Sequence, residues 1–438
     1  MNTEAIKTAV MEAAAKYGVE NYEITIRTQE SAGAEALKDE ISSVTYARSS
    51  AMQVRCVVGG KSGYAVSELV TAEAAADLVA QAVQNAAVVD DADEVGLFPG
   101  SAHYETVTDT VPELPSTDEM KARTMELQRK AYAVSDKIVD GTQGFTSGMT
   151  LTHAMMNSEG LDLSYGYGLV YQGLGAAVKD GDDAANEYRF ADVTKESTDE
   201  TVRKAVEAAL NKLGADTVPS GKYNVIMDAE TVRSLLATYS SVFSARSAYL
   251  KTTLLAGKEG EVVASPNVTL FDDPFHPEKF GHCPFDGEGV AVYTKKVIEN
   301  GVLNTLLYNR MYGKLLGKET TGNAADAKSI TPKRMYIAPG EETPESLLAR
   351  LGDGIYITGL NGLHAGANVQ SGDFSLQAEG FLVEGGKKTR PVKNFTIADN
   401  FFHILKKGDA LSNKAEFTVT SDFGAPEILF TDISVSGK

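Results

Sequence analysis

The first seventy residues show first a helical and then a strand pattern of hydrophobic positions. Ile6, Val10 and Ala14 recur every four residues, which predicts an amphipathic helix. Residues 22–28 then alternate hydrophobic and polar side chains, and residues 52–58 do the same before a Gly-Gly pair. A period of two is typical of β-strands, and a Gly-Gly pair favours a tight turn. This part of the chain is therefore predicted to contain a helix, a strand and a β-hairpin.

Helix-start signals and a strand-rich segment organise the next part of the chain. A residue that can cap a helix stands at three places, twice with a glutamate three residues later: Thr71, Ser116 with Glu119, and Ser197 with Glu200. These signals predict three helix N-termini. Residues 144–190, between the second and third of these helices, are rich in Gly and Tyr and alternate locally, which predicts a meander of strands.

Residues 216–221 (DTVPSG) form the predicted boundary between two domains, because a helix ends before this stretch of proline and glycine. Beyond it the pattern predicts a long helix over residues 229–250 and a shorter one near 398–407. The intervening strands follow one another without helices, which favours antiparallel pairing. The predicted fold class is α+β, with an N-terminal α/β domain (1–216) containing antiparallel hairpins. The C-terminal domain (217–438) is predicted to be mostly antiparallel β, barrel-like or a curved sheet, with few helices.

The most informative stretch is NGLHAGANVQSGDFSLQAEGFLVEGGKKTRPVKNFTI, residues 361–397. Hydrophobic and polar residues alternate between Asp373 and Glu384, a Gly-Gly pair follows, and a second strand returns to Ile397. This pattern predicts an antiparallel hairpin. Glycines recur before and at the start of its first strand, at Gly359, Gly362, Gly366 and Gly372. They allow a close approach of backbone that a Cβ atom would prevent, so the segment is a candidate binding site.

Motifs along most of the chain resemble those of the TldD/PmbA family, and in particular its PmbA (TldE)-like branch. The hairpin segment, SGDFSLQAEGFLVEGGK followed by RPVKNFTIADNFF, carries the resemblance most clearly. Further motifs follow in family order: AMQVRCVVGGKSG at 51–63, NSEG at 157–160, GKEGEVVASPNVTLFDDP at 257–274, FDGEG at 285–289, VIENGVL at 297–303 and TTGNA at 320–324. Together they identify the chain as a member of this family, whose older description is modulator of DNA gyrase.

The resemblance implies a zinc peptidase whose catalytic branch carries an HExxxH motif on a helix and a cysteine near the C-terminus. Two such histidines can share a zinc ion while the glutamate acts as general base on bound water. Here the corresponding helix reads TVRSLLATYSSVFSARSAYL, and the motif positions are Ala237, Thr238 and Val242. Residues 421–430, at the place of the cysteine, contain neither Cys nor His. No catalytic or metal-ligating residue is therefore predicted in this chain, and zinc is expected in a TldD-like partner.

The same resemblance implies a function. A PmbA/TldE-like chain is expected to assemble with a TldD-like catalytic subunit into a cytoplasmic metalloprotease that degrades or matures small unfolded peptides. This chain is expected to be inactive alone and to form part of the peptide chamber, where an extended peptide pairs with it by β-augmentation. The predicted peptide-binding residues lie before and within the hairpin: His364, Gly366, Asn368, Ser371, Gly372, Asp373, Ser375 and Gln377.

Three alternatives stay open on the sequence alone. The hairpin can be ordinary core, with His364 a turn residue bonded to backbone. The chain can be a homodimeric peptide-binding or chaperone-like module that acts without a protease partner. It can also be a hydrolase with its own metal at Asp273, His276 and His282, although the surrounding prolines predict a loop in which such residues cap turns.

Charge and cysteine content restrict the partners. The chain has 41 basic and 60 acidic residues, a formal charge of −19, which argues against nucleic-acid binding and gives the gyrase description no support.

Cys56 and Cys283 are far apart, so no disulfide is predicted. The N-terminal pattern differs from that of a signal peptide, and no apolar run approaches the roughly 18 residues that span a bilayer. We therefore expect a soluble cytoplasmic protein without membrane contact.

Overall fold

The computed structural model describes residues 3–90, 92–93, 95–278 and 280–438. Within them, the chain up to Leu210 forms one sheet and the helices that pack on it. In chain order these elements are α1 (Thr3–Tyr17), β1 (Asn21–Leu37), β2 (Glu40–Val58), β3 (Lys61–Ser67), α2 (Ala72–Val88), α3 (Thr117–Val134), β4 (Gln143–Asn157), β5 (Asp162–Asp180), β6 (Asp183–Asp192) and α4 (Thr198–Leu210). The strands pair in the order β3-β2-β1-β4-β5-β6, each antiparallel to its neighbours.

One face of this sheet is covered by helices and the other turns towards the C-terminal half. Val10 of α1 and Leu78 of α2 are buried against the β1–β3 half, and Leu127 of α3 and Val206 of α4 against the β5 half. Side chains on successive strand positions point to opposite faces. The alternate residues of β1, such as Thr25, therefore lie on the uncovered face, where a cavity separates them from the C-terminal half.

The three predicted helix starts are confirmed, and so is the predicted hairpin, which β2 and β3 form. Thr71 accepts a hydrogen bond from the backbone of Ala74, and Ser116 forms a complete capping box with Glu119. Ser197 likewise accepts from the backbone N–H of Glu200. β1 and β2 are longer than predicted, at 17 and 19 residues, because they also pair with each other through a polar stretch without regular alternation.

The C-terminal half contains two further sheets. Its elements begin with β7 (Gly221–Met227), α5 (Ala229–Tyr239), α6 (Ala245–Tyr249), β8 (Leu270–Asp272), β9 (Lys295–Glu299), β10 (Val302–Leu303), α7 (Arg310–Leu316), β11 (Met335–Ile337) and α8 (Pro344–Leu351). They continue with β12 (Gly354–Asn361), α9 (Leu363–Gly366), β13 (Asp373–Glu384), β14 (Lys387–Asn400), α10 (Phe401–Ile404), β15 (Gly408–Leu411), β16 (Glu416–Phe417), β17 (Phe423–Ala425) and β18 (Ile428–Ser436). Two 3₁₀ turns, Ser240–Phe243 and Leu405–Lys407, follow α5 and α10.

Five strands of the C-terminal half close into a barrel. They pair in the order β14-β13-β12-β7-β18, and β14 pairs with β18 to complete the ring. Only β7 and β12 run parallel among these pairs. The β13–β14 hairpin turns through Gly385 and Gly386, whose φ angles of 55° and 74° explain why glycines stand there. The α+β class and the barrel-like C-terminal half are thereby confirmed.

Helix α5 packs against the barrel, and it is shorter than predicted. Val232, Leu235 and Tyr239 belong to the main hydrophobic core. The single helix predicted over residues 229–250 is wrong: after α5 come the 3₁₀ turn and then α6. Ser244 adopts an extended backbone conformation that interrupts the helix, and the burial of Val242 and Phe243 accounts for the break.

The helix predicted near 398–407 is wrong at its start. β14 continues to Asn400, and Ala398 pairs with both Ser375 of β13 and Ser434 of β18. The helix begins only at Phe401, where the Asn400 side chain accepts a hydrogen bond from the backbone N–H of Phe402. Barrel closure therefore takes precedence over the local helical pattern.

The predicted domain boundary lies between α4 and β7. Asp216 forms a parallel bridge with Val392 of β14, so this connection is tied to the barrel. The division of the chain into two domains at this point stays a prediction. In the described ranges, none of the helices combines the length and apolar character needed to cross a bilayer.

Candidate functional site

A cleft of about 1120 Å³ lies between the N-terminal sheet and the barrel. Residues 186–190 of β6 and part of α4 form one wall. Glu230, Arg233 and Ser234 of α5 and residues 414–418 form the other. The cleft thus lies where α4 and the edge of the sheet meet the start of α5, and it is large enough for several residues of an extended peptide.

Ion pairs hold the two walls of the cleft together. The Lys212 ammonium lies 2.5 Å from a carboxylate oxygen of Glu187 on β6 and 2.6 Å from one of Glu379 on β13. Burial alone would lower the pKa of Lys212, but the two carboxylates hold it above its ordinary value. Lys212 is therefore a fixed cation that connects the sheet edge to the barrel.

The N-terminal part of α5 borders this cleft, and the open face of the helix continues beyond it. Arg233, Ser234, Ala237 and Thr238 are half-buried, while the intervening residues face the core. Ala237 and Thr238 are two of the three positions at which the resemblance places the zinc motif; the third, Val242, is buried in the 3₁₀ turn. Across the ranges that the structure describes, no group of three or more His, Cys, Asp or Glu side chains is arranged to hold a metal ion.

The outer edge of β6 is a free strand edge inside the cleft. Among the strands that the structure describes, β6 pairs only with β5 and ends the sheet. Alternate residues of an edge strand direct their backbone groups away from the partner strand. Tyr188 is one of these, since its N–H donates to the Glu187 carboxylate at 3.2 Å instead of to β5. An extended peptide can therefore add to β6 through main-chain hydrogen bonds.

The structure places the eight sequence-predicted residues together at the start of β13, away from the cleft. Asp373, Ser375 and Gln377 are exposed on one side of the strand, and the residues between them are buried. β13 is paired with β14 from Asp373 onwards, and Gln377 is also paired with β12. The strand therefore offers little free edge to a peptide.

The loop residues of the same set build the turn that leads into β13. The Asn368 side chain accepts hydrogen bonds from the backbone N–H groups of Gln370 and Ser371. Gly366 lies against the backbone carbonyl of Ser375, and Gly372 against Phe402 and Asn400. A side chain at Gly366 or Gly372 would collide there, which explains the glycines by packing. The exposed ring of His364 lies on the short helix α9. The assignment of all eight residues to peptide binding stays a prediction.

The three residues of the alternative metal site, Asp273, His276 and His282, all contact other side chains or backbone groups of the chain. Asp273 accepts hydrogen bonds from the Thr294 hydroxyl at 2.6 Å and from the Phe275 backbone. His276 packs edge-on against Tyr336. His282 is paired with Asp109, with Nδ1 2.9 Å from the carboxylate. Turn capping by Asp273, ring packing by His276 and the pairing of His282 with Asp109 therefore explain why these residues lie in this loop.

A second cavity, of about 480 Å³, lies under the uncovered face of the N-terminal sheet. Glu288 faces it and accepts a hydrogen bond from the Arg310 backbone N–H at 2.9 Å, and burial raises the pKa of Glu288 to about 8. Burial also lowers the pKa of His153, on the opposite wall, to about 4. Sequence reasoning did not single out these residues for chemistry, although Glu288 belongs to the FDGEG motif at 285–289.

Three models of the PmbA/TldA metallopeptidase family match the chain: domain 1 at residues 22–86, the central domain at 111–213 and the C-terminal domain at 220–437. A metalloprotease PmbA homolog from Haemophilus influenzae is 25% identical, over 99% of this chain and 96% of that protein. A metalloprotease from Methanothermobacter thermautotrophicus is 29% identical, over 68% of each chain.

Two solved structures share the fold. A protein described as a modulator of a DNA gyrase, from Thermotoga maritima, is 28% identical, with a TM-score of 0.92, over 99% of this chain and all of that one. TldE from Thermococcus kodakarensis superposes with a TM-score of 0.86 at 24% identity, over 99% of this chain and 100% of that one. The family models cover most of the sequence, and both structures match over nearly the whole length. The chain therefore belongs to the PmbA/TldD family of metalloproteases.

Proposed function

We propose that this chain is the PmbA/TldE-like, non-catalytic subunit of a TldD/TldE-type cytoplasmic metalloprotease that acts on small unfolded peptides. The observation that carries the proposal is the chemistry of the three positions at which the resemblance places the zinc motif. Ala237 and Val242 have no donor atom for a metal, and the Thr238 hydroxyl donates to the backbone carbonyl of Ser234 at 2.8 Å. These residues do not fit zinc, so no catalytic step is assigned to this chain. The zinc belongs, on this proposal, to a TldD-like partner.

The proposed contribution of this chain is to hold peptide in the chamber. The cleft offers a free strand edge on β6 and a polar wall on α5, both supplied by one chain. Main-chain pairing gives affinity for any extended sequence, which suits a protease that acts on unfolded peptides. A folded substrate would have few free backbone groups to offer β6, so unfolded peptides should be favoured.

The eight residues around β13 are proposed as a second peptide contact. Since β13 is already paired, this contact would use the outward side chains of Asp373, Ser375 and Gln377 and the turn at His364. It would not use strand addition. The side chains present amide, hydroxyl and carboxylate groups that can bond to a peptide backbone without selecting its sequence.

A homodimeric peptide-binding module is the second candidate. The observation that favours it is that both walls of the cleft come from one chain, so peptide binding does not require a protease. The two candidates differ in what mixing with a TldD-like chain does. In the homodimeric case mixing adds no activity, and the chain alone forms a symmetric pair.

The deciding experiment compares this chain alone, the TldD-like protein from the same genome alone, and the two mixed. We measure zinc content and cleavage of an unstructured peptide. Zinc and cleavage are expected only in samples that contain the TldD-like protein, with full activity only in the mixture. Zinc-dependent cleavage by this chain alone would contradict the proposal. Peptide binding and a symmetric dimer, with no gain of activity on mixing, would establish the second candidate.

The free edge of β6 gives a mutational prediction. Tyr188→Pro removes an N–H that is not used for pairing with β5, so the fold should tolerate it, as edge strands tolerate proline. Affinity for an unstructured peptide should fall about tenfold, because main-chain pairing with β6 is interrupted. Tyr188→Ala is the matched control, since it removes the ring and keeps the N–H. Equal affinities for the two variants, measured by fluorescence anisotropy, would contradict peptide addition at this edge.

A further inference from the structure

A side pocket of about 260 Å³ adjoins the cleft at the start of α5. We call it the α5 pocket. Asp228 and Thr358 line it from the barrel side, with Phe381 of β13. β6 and α4 line it from the other side, and residues 187–189 border both the α5 pocket and the cleft. A ligand that follows the edge of β6 therefore passes the mouth of this pocket.

The basic side chains that line the α5 pocket are already paired. Arg189 and Lys204 both bind Glu196, at 2.6 and 2.8 Å. These cations hold the pKa of Glu196 at about 2 against the effect of its burial, which raises it. Lys212 binds Glu187 and Glu379. These three cations leave no positive charge free for another partner.

Asp228 is the carboxylate that remains. It accepts a hydrogen bond from the Thr231 backbone N–H at 2.8 Å, as the N-cap of α5. Among the described residues, no lysine or arginine lies within the 4 Å of an ion pair with it. Lys388 acts on both Asp228 and Glu427 at longer range, and its ammonium lies over the Tyr356 ring, 3.2 Å from the centroid. One ammonium thus acts on two carboxylates, and among the described residues neither carboxylate forms an ion pair.

Three side-chain oxygens near Asp228 are buried without a hydrogen-bond partner, those of Thr231, Thr358 and Glu427. Thr358 lines the α5 pocket, and its hydroxyl is buried without a partner. Oε2 of Glu427 is also buried without one, while Oε1 accepts from the Tyr356 hydroxyl at 2.8 Å. A buried polar atom without a partner is destabilising, so such atoms mark places where a ligand or water completes the structure. A group that completes this site must be a hydrogen-bond donor, because a carboxylate can only accept hydrogen bonds.

We propose that the α5 pocket binds a primary ammonium group, held by the Asp228 carboxylate and the Thr358 hydroxyl. An ammonium has three N–H donors and one positive charge, which match these two acceptors and the negative charge of the Asp228 carboxylate. Ca²⁺ does not fit, because it takes about six to eight oxygen ligands and the proposed acceptors are one carboxylate and one hydroxyl. A peptide has two sources of this group, its N-terminus and a lysine side chain. The peptide as carrier rests on the proposed function; the binding of an amine does not.

The test is a calorimetric titration of the full chain with three matched probes. They are tetra-alanine amide with a free N-terminus, the same peptide N-acetylated, and the N-acetylated peptide with one central lysine. The free N-terminus should improve affinity at least tenfold over the acetylated peptide. The lysine peptide separates the sources: high affinity there identifies the side chain, and low affinity identifies the N-terminus. Equal affinity of all three probes, or no binding of any, would overturn an ammonium site for peptides.

Conservative variants connect the effect to the two acceptors. Asp228→Asn removes the charge and keeps the helix cap, because Asn caps as well as Asp. It should abolish the advantage of the free N-terminus, and Thr358→Val should reduce it severalfold. Glu384→Gln is the control, since Glu384 is an exposed carboxylate at the end of β13 that lines neither the cleft nor the α5 pocket. An unchanged advantage in Asp228→Asn would refute the assignment, and circular dichroism checks that the variants fold.

A fourth probe, n-butylamine, separates this inference from the proposed function. Butylamine binding that is lost in Asp228→Asn, with no binding of tetrapeptides, would keep the ammonium site and reject the peptide role. No binding of butylamine and no difference between free and acetylated peptides would reject the site. A protease complex that is active in the mixing experiment would then leave the proposed function intact.

The pH dependence of amine binding gives an independent readout. Burial raises the pKa of Asp228 to about 6, and Glu230 and Glu427 add to the rise. An ammonium binds the ionised carboxylate, so affinity should rise from pH 5 to pH 7 in the native chain and stay level in Asp228→Asn. The other titratable groups around this site are Glu187, Tyr188, Arg189, Lys204, Lys212, Tyr356 and Lys388.

Discussion

Replacing Asp272 with alanine is expected to lower the free energy of unfolding by about 3–5 kcal/mol, the usual cost of removing one partner from a buried ion pair. Its carboxylate is completely buried at the end of β8. It accepts hydrogen bonds from the Lys295 ammonium (3.1 Å), the Asn323 amide (2.7 Å) and the backbone N–H groups of Lys333 (2.7 Å) and Arg334 (3.0 Å). The variant leaves all four donors without this acceptor and leaves Lys295 as an unpaired buried cation.

The neighbouring Asp273→Ala is the matched control for this prediction. It makes the same change of charge, but Asp273 is half-buried and, within the described ranges, its side chain accepts hydrogen bonds from Thr294 and Phe275, so about 1 kcal/mol is expected. The measurement is the midpoint of urea unfolding followed by circular dichroism. Equal midpoints for the two variants would show that the Asp272 network does not stabilise the C-terminal half.

The Asp272 network also predicts how stability depends on pH. Burial by itself raises the pKa of Asp272, but Lys295 and the other donors hold it below its ordinary value. A carboxyl group with a depressed pKa in the folded state stabilises the protein above its unfolded pKa of about 3.9. That stabilisation is lost as the pH falls through the lower folded-state value. The difference between the native chain and Asp272→Ala should therefore shrink as the pH falls below about 4.

Local sequence signals predicted the elements whose partners are close in the chain. Ser116 and Glu119 lie in one helical turn, and their capping box could be read directly. The β13–β14 hairpin could be read in the same way, because its turn depends on two adjacent glycines, Gly385 and Gly386. In such elements the residues that determine the structure are also neighbours in sequence.

The barrel could be predicted only in outline, because its closure depends on distant partners. β7 pairs with β12 on one side and with β18 on the other, and no local pattern specifies either pairing. The same distant contacts changed two local predictions. Pairing with β18 extended β14 over residues predicted to be helical, and the packing of Val242 and Phe243 in the core divided the helix after α5.

For the candidate site, too, the sequence predicted local structure but not the contacts between elements that are distant in the chain. Sequence reasoning chose one contiguous block, from His364 to Gln377, and correctly predicted a strand with alternating exposure within it. The cleft and the α5 pocket combine β6, α4, α5 and residues 414–418, which meet only in the folded chain. Asp228 could be read from the sequence only as a helix cap. Only the folded structure shows that the nearby cations, Arg189, Lys204 and Lys212, are paired with other carboxylates and that Asp228 is a candidate ligand group.

Gly380→Ala is expected to cost more than about 4 kcal/mol or to prevent soluble expression. Gly380 lies in β13, opposite Ile357 of β12 and Val392 of β14. A Cβ atom there would overlap the carbonyl oxygen of Tyr356 and lie 2.8 Å from the Cα of Ile357. Both obstacles are backbone atoms of a paired strand. They can move only if β12 separates from β13, which would open the barrel.

Gly359→Ala, on the adjacent strand, provides the control that separates this clash from a general intolerance of side chains. The three atoms nearest to a Cβ at Gly359 all belong to the Glu379 side chain, the closest at 3.0 Å. That flexible side chain can shift, at the cost of weakening its ion pair with Lys212. About 1 kcal/mol of destabilisation is therefore expected. Soluble yield and the urea midpoint should fall steeply for Gly380→Ala and little for Gly359→Ala. Similar losses in both variants would mean that the backbone of the barrel shifts to accommodate a side chain at position 380. Close backbone contact would then not explain why glycine occupies this position.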